Sequence, residues 1–140
     1  MRRRSYTTIL MIAVGIGALA ALWVGRKLNT DQGDASAVVA GITVPSLAGA
    51  EQSGKALFGK YCSKCHGQVG EGTDSGPPLI HDFYKPSHHG DAAFFSAALL
   101  GARAHHWQFG DMPKVEGITE QEVGDIVAFV RRVQSANGIR

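Results

Sequence analysis

The sequence lacks an excess of positive charge in the part that is expected to fold. Over residues 51–140, nine Lys or Arg stand against ten Asp or Glu, although the whole chain of 140 residues has a formal net charge of +2. The positive surplus lies in residues 1–50, which hold five Lys or Arg against two Asp. We therefore exclude nucleic acid as a partner of the folded part, because binding to phosphates needs a surplus of cations.

The sequence is also poor in sulfur ligands, with two cysteines and three methionines. A structural zinc site would need two further ligands at suitable spacing, and the chain has no second cysteine pair. The part beyond residue 50 lacks the alternation of apolar and polar residues that is typical of strands. A thioredoxin-like redox pair is therefore disfavoured, because that motif belongs to a βαβ unit. The same observation predicts an all-α domain of three to four short helices.

The first residues have the composition of a targeting segment. A cluster of arginines at residues 2–4 precedes an uncharged apolar run at residues 7–24. This arrangement is typical of an export signal whose arginines stay on the cytoplasmic side. We interpret residues 1–28 as a membrane anchor that leaves the rest of the chain in the periplasm. A cleaved signal and a soluble periplasmic protein are the alternative, because Ala18-Leu19-Ala20 has the form of a cleavage site.

The next segment, residues 29–50, is rich in Gly, Ala, Ser and Val and carries few charges. It shows no sustained helical period, so we interpret it as a linker. A short strand near residues 38–44 is the alternative interpretation. The folded domain would then cover residues 51–140.

Helical periodicity predicts the main helices of this domain. A first helix covers residues 52–61, and a second covers residues 92–100 with Asp91 as its cap. A third helix begins at Thr119, which forms a capping box with Glu122. The apolar face of the third helix contains Val123, Ile126, Val127, Val130 and Val133.

The residues that carry chemistry are Cys62-Ser63-Lys64-Cys65-His66. In a C-x-x-C-H segment at the end of a helix, two thiols can bond one haem while the adjacent imidazole reaches its iron. A structural disulfide is an alternative, but a two-residue loop between the cysteines stabilises little. The segment therefore predicts one covalent haem c, bound through Cys62, Cys65 and His66.

A second axial ligand of the iron would lie well downstream. Met112 is the best candidate, because in Gly110-Asp111-Met112-Pro113 the glycine allows a turn and the proline stiffens the chain. The other two methionines lie in the targeting segment. His105 and His106 are the competing ligands. A methionine that only fills a gap in the core is the remaining alternative.

Together these motifs resemble a class I cytochrome c over roughly residues 51–138. The matching residues are Gly54, Phe58, Cys62-x-x-Cys65-His66-Gly67, Gly76-Pro77-Pro78-Leu79, Met112-Pro113 and Val127-Ala128-Phe129-Val130. The resemblance implies a fold of short helices around the haem. It also implies that the first helix crosses the last at Gly54 and Phe58, against Phe129.

The resemblance assigns further contacts around the haem. It implies that the carbonyl of Pro77 accepts a hydrogen bond from Nδ1 of His66, which would fix the tautomer of the ring. It also implies that Leu79 packs on the haem edge. We interpret Trp107 as a hydrogen-bond donor to the haem propionates or to loop carbonyls.

Five further histidines have no place in the general family pattern, namely His81, His88, His89, His105 and His106. One hypothesis is a second metal site, for example for copper, or a contact with a copper protein, because imidazole is a favoured copper ligand. We favour the other interpretation, in which His88 and His89 lie beside the N-terminus of a helix and His105 bonds haem propionates or loop carbonyls. Adjacent histidines point in different directions on most backbones and would make a poor chelate.

The sequence therefore predicts a non-enzymatic electron carrier in a respiratory or related redox chain on the periplasmic side of the membrane. Its expected partners are a membrane oxidoreductase or a small copper or haem protein. The alternatives are a haem subunit of a terminal oxidase or nitrite reductase, and a module that binds a gas or a metal. The single C-x-x-C-H segment excludes a two-haem peroxidase within this chain.

Overall fold

The computed structural model of the protein describes residues 36–140. The predicted anchor or signal at residues 1–28 and the start of the predicted linker lie outside these residues. In chain order the elements are strands β1 (Ala37–Val39) and β2 (Ile42–Val44), helices α1 (Ala50–Tyr61) and α2 (Ser63–His66), a 3-10 turn (Asp82–Tyr84), and helices α3 (Asp91–Leu100) and α4 (Glu120–Ala136). Across residues 36–140, every helix is too short or too polar to span a membrane.

The domain is mostly helical, as predicted, but a small antiparallel hairpin precedes the helices. Strands β1 and β2 pair so that Ala37 lies opposite Val44. Part of the predicted linker therefore forms regular structure, with two short strands and a turn in place of the single strand considered as the alternative. The physical reason lies at the end of the chain, where the side-chain amide of Asn137 donates to the carbonyl of Thr43 at 2.8 Å and accepts from its N–H at 3.0 Å. Val44 is buried in the core beside this contact.

The core is built where α1 crosses α4, as the resemblance implied. Gly54 is buried on α1, and a β-carbon at this position would overlap the backbone carbonyl of Asp125 on α4. The absence of a side chain therefore allows the two backbones to approach. Beside the crossing, the rings of Phe58 and Phe129 are fully buried, with centroids 5.4 Å apart. This crossing fixes the end of α1, where the C-x-x-C-H segment begins.

The two downstream helices begin differently. The capping box of α4 is confirmed, because the hydroxyl of Thr119 accepts from the N–H of Glu122 and the Glu122 carboxylate accepts from the N–H of Thr119. The cap predicted for α3 is wrong, since Gly90 is its N-cap and Asp91 is its first helical residue. The Asp91 carboxylate instead accepts a hydrogen bond from Nε of Arg131 at 2.7 Å. The side chain of Asp91 thus contacts α4, and no side chain caps the start of α3 with a hydrogen bond.

Candidate functional site

A cavity of about 460 Å³ lies between the helices and the loops that connect them. Its wall is mostly apolar, with Phe58 from α1, Ala97 from α3 and Val127 from α4. Most of the residues predicted to hold the cofactor also line it, namely Cys62, His66, Pro77, Leu79, Trp107 and Met112. The fold thus places around one cavity residues that are up to 50 positions apart in the sequence.

The C-x-x-C-H segment forms a single helical turn directly after α1. The N–H groups of Cys65 and His66 both donate to the carbonyl of Cys62, at 3.1 and 3.0 Å. Both cysteines are free thiols in the described part of the chain, so the disulfide considered as an alternative is not formed. Cys62 lines the cavity, whereas Cys65 lies half-buried beside it. Burial, and then the neighbouring Cys65, raise the pKa of Cys62 to about 11, so its thiol stays protonated at neutral pH.

His66 follows the cysteines and is held in one tautomer. Its side chain is 8% exposed, and its Nδ1–H donates to the carbonyl of Pro77 at 2.8 Å, which is the contact that the resemblance implied. Burial lowers the pKa of His66, and the Pro77 hydrogen bond opposes this effect. The ring is therefore neutral at pH 7 with its proton on Nδ1. Nε2 is left with a free lone pair at the cavity wall, which is the form that binds a metal.

Met112 reaches the cavity wall from a loop that is closed by backbone pairing. The N–H of Met112 donates to the carbonyl of Ala102 at 2.8 Å, and the N–H of Ala102 donates back at 2.9 Å. Gly101 precedes this pair with φ of 85°, and a β-carbon there would lie 2.8 Å from the Met112 carbonyl oxygen. The prediction of Met112 rested on Gly110 and Pro113, and the pairing with Ala102 was not predicted. The signal was Gly101, which ends α3 in a conformation that favours glycine.

Trp107 places an unsatisfied donor at the cavity wall. Its buried Nε1–H has no hydrogen-bond partner among residues 36–140. The indole therefore does not donate to a loop carbonyl there, which was one of the two kinds of partner expected for it. The nearby indole N–H lowers the pKa of Tyr84, but burial raises it more. The two groups do not meet with the geometry of a hydrogen bond. A buried donor at a cavity wall is costly unless an acceptor, such as a propionate of a bound cofactor, pairs with it.

Leu79 is fixed at the wall by a polar contact that was not predicted. Its carbonyl accepts a hydrogen bond at 2.8 Å from the side-chain amide of Gln134 on α4. Gln134 is fully buried and also donates to the carbonyl of Tyr84 at 3.1 Å. The available signal was a glutamine within the otherwise apolar face of α4. One polar side chain thus ties two cavity-lining residues to the last helix.

The additional histidines do not diverge as expected. His88, His89, His105 and His106 converge beside the cavity, and we call them the four-histidine cluster. His105 bonds the carbonyl of Arg103, as the favoured interpretation proposed, and His89 bonds the carbonyl of Phe83. Partial burial and the three neighbouring rings lower the pKa of His106. His81 lies apart from the cluster, where its Nδ1 accepts from the N–H of Phe83 at 3.2 Å.

The residues around the cavity fit a haem. The wall is apolar, two thiols lie at the end of α1, Nε2 of His66 and the thioether of Met112 are available, and Trp107 has an unpaired donor. The family model for cytochrome c matches residues 51–134, which is more than half of the chain. No curated protein and no solved structure shows significant similarity to the chain. The chain therefore belongs to the cytochrome c family, whose members bind haem c covalently, and its single domain is consistent with one haem.

Proposed function

We propose that the protein is a single-electron carrier with His66 and Met112 as the axial ligands of a haem attached through Cys62 and Cys65. The bound haem supplies the redox chemistry, a one-electron change between ferric and ferrous iron. The observation that carries this proposal is the position of the ring proton of His66. The hydrogen bond to Pro77 holds its proton on Nδ1, so Nε2 offers a lone pair to the cavity.

The chain itself holds both residues that would ligate the iron. His66 is positioned by the α2 turn, and Met112 by its pairing with Ala102. Ligands that are held before the electron arrives need little rearrangement when it does, and this favours fast transfer. A thioether opposite an imidazole raises the reduction potential, because it favours ferrous iron. Two protein ligands also leave no open position for a gas, so the sensor function is disfavoured.

The site reaches the protein surface, as an electron carrier requires. Phe109 lines the cavity and is 43% exposed, so the edge of the cavity is accessible to a docking protein. The proposed partners are a membrane oxidoreductase or a small copper or haem protein. The arginines and the apolar run before residue 28 support a position on the periplasmic face of a membrane. A haem subunit of a larger oxidoreductase is the second candidate, because it would use the same site.

The axial ligands can be tested with Met112→Ala in the haem-loaded full chain. The ferric parent should show the weak near-infrared band of sulfur-to-iron coordination. The variant should lose the band, bind carbon monoxide in the ferrous state and have a lower reduction potential. Met11→Leu is the matched control and should leave all three properties unchanged. If the parent lacks the band and Met112→Ala leaves its spectrum unchanged, Met112 is not the ligand, and His105 or His106 takes its place.

A further inference from the structure

The four-histidine cluster has two close nitrogen pairs. Nε2 of His88 lies 3.2 Å from Nε2 of His106, and Nε2 of His89 lies 3.2 Å from Nε2 of His105. Ring nitrogens of His88, His89 and His106 all lie within 4.8 Å of one another. The chain therefore brings imidazoles from two separate loops to one place beside the haem cavity.

One of these pairs has no proton to share when both rings are neutral. Nδ1 of His89 bonds the carbonyl of Phe83, and Nδ1 of His105 bonds the carbonyl of Arg103 at 2.8 Å. A carbonyl oxygen only accepts, so both Nδ1 atoms carry the ring proton. Both Nε2 atoms are then acceptors and face each other with lone pairs. A cation placed between them would relieve this repulsion.

The spacing within each of the two nitrogen pairs is that of two donor atoms in a tetrahedral metal site. Imidazole nitrogens lie about 2.0–2.1 Å from zinc, and tetrahedral geometry then separates two donors by about 3.3 Å. Both pairs are close to this value at 3.2 Å. Imidazole suits copper and zinc, and copper binds most tightly among the first-row divalent ions.

Outer contacts hold the rings in place. A metal-binding histidine usually donates its second ring N–H to a carbonyl or carboxylate, as His89 and His105 do here. Arg131 on α4 donates to the backbone carbonyl of His89, which anchors the first loop. In the second loop, the Asp111 carboxylate accepts from the N–H of Ala104 at 2.9 Å. These contacts reduce the rearrangement that metal binding would require.

We propose that the four-histidine cluster binds one first-row transition metal ion, copper or zinc, in addition to the haem. Three of its members, His89, His105 and His106, also line the haem cavity, so the ion would lie beside the haem. This site goes beyond the proposed function, because electron transfer by the haem alone does not need it. It would be a second metal centre within the same domain.

The test uses the haem-loaded full chain with Cu²⁺ and Zn²⁺ as separate probes. After gel filtration, we expect one equivalent of the added metal per haem iron, measured by elemental analysis. The double variant His88→Gln/His106→Gln should lose the metal. His81→Gln is the matched control, because it removes a histidine of the same region that lies outside the cluster, and it should keep one equivalent. Copper in the parent should show nitrogen hyperfine coupling in its electron paramagnetic resonance spectrum.

The haem spectrum reports separately on folding and on iron ligation. If the double variant does not fold, the single variant His88→Gln serves instead and should weaken metal binding at least about tenfold. Binding of either ion that depends on these histidines supports the site, and the two arms show which ion it prefers. No binding of either ion by the parent, or full binding by the folded double variant, would overturn the proposal. Iron ligation by His105 or His106 in place of Met112 would also overturn it, because that ring would not be free to bind the added metal.

Discussion

Replacing Phe129 by alanine should remove the contact that holds α1 against α4. The side chains of Phe129 and Phe58 are 0% exposed, and their ring centroids are 5.4 Å apart. Truncation of a buried phenylalanine costs about 3–5 kcal/mol, which includes the cavity that it leaves. The lost ring pair accounts for about 0.5–1.5 kcal/mol. We therefore expect a loss of about 4 kcal/mol, a large share of the ~5–15 kcal/mol that stabilises a typical domain.

The assay is equilibrium unfolding of the haem-loaded protein in guanidinium chloride, followed by circular dichroism and haem absorption. The midpoint should fall while the slope stays the same, because the surface exposed on unfolding hardly changes. Phe109→Ala is the matched control, since this ring is 43% exposed, and it should cost less than about 1 kcal/mol. The packing argument is refuted if Phe129→Ala is no more destabilising than Phe109→Ala.

Two further predictions concern α4 and can use the same unfolding assay. Arg131→Leu should lower the free energy of unfolding by about 2–4 kcal/mol, because the Arg131 side chain is only 16% exposed and its loss leaves several acceptors unbonded. The matched control Arg132→Leu should lower it by no more than about 0.5 kcal/mol, because the Arg132 side chain is 44% exposed. Equal losses of unfolding free energy in the two variants would contradict this prediction. The backbone N–H of Thr119 and then its hydroxyl lower the pKa of Glu122 in the folded state. The stability that Glu122 contributes is therefore complete above its ordinary pKa of about 4.3 and is lost as the pH falls through the lowered folded value. Acidification should destabilise Glu122→Gln less than the parent, and parallel pH curves would contradict the account.

The parts of the fold that could be predicted from the sequence depend on local patterns. The capping box at Thr119 is determined within a few residues, so the start of α4 was predictable, whereas the crossing of α1 and α4 was implied by the family resemblance. The hairpin at residues 37–44 was not, because its second strand is held by Asn137 from the far end of the chain. A composition typical of a linker does not reveal such a distant partner.

The candidate site also has features that could be predicted from the sequence and features that could not. The C-x-x-C-H motif identified His66, and the family resemblance implied its contact with Pro77. The pairing of Met112 with Ala102 uses only backbone groups, so its one sign in the sequence is the neighbouring Gly101. The convergence of the histidines was also unpredictable, because it depends on how two loops are anchored, one of them through Arg131.

The central claim is that Cys62 and Cys65 hold one haem covalently, and the intact mass of the denatured full chain tests it most directly. Protein from a host that matures c-type haem should carry the mass of one haem, which should survive denaturation and acid-acetone extraction. The double variant Cys62→Ser/Cys65→Ser should carry none, whereas Ser63→Ala, which changes a residue between the two cysteines, should still carry one. A parent chain with no added mass, or one that loses all haem on extraction, would contradict the account.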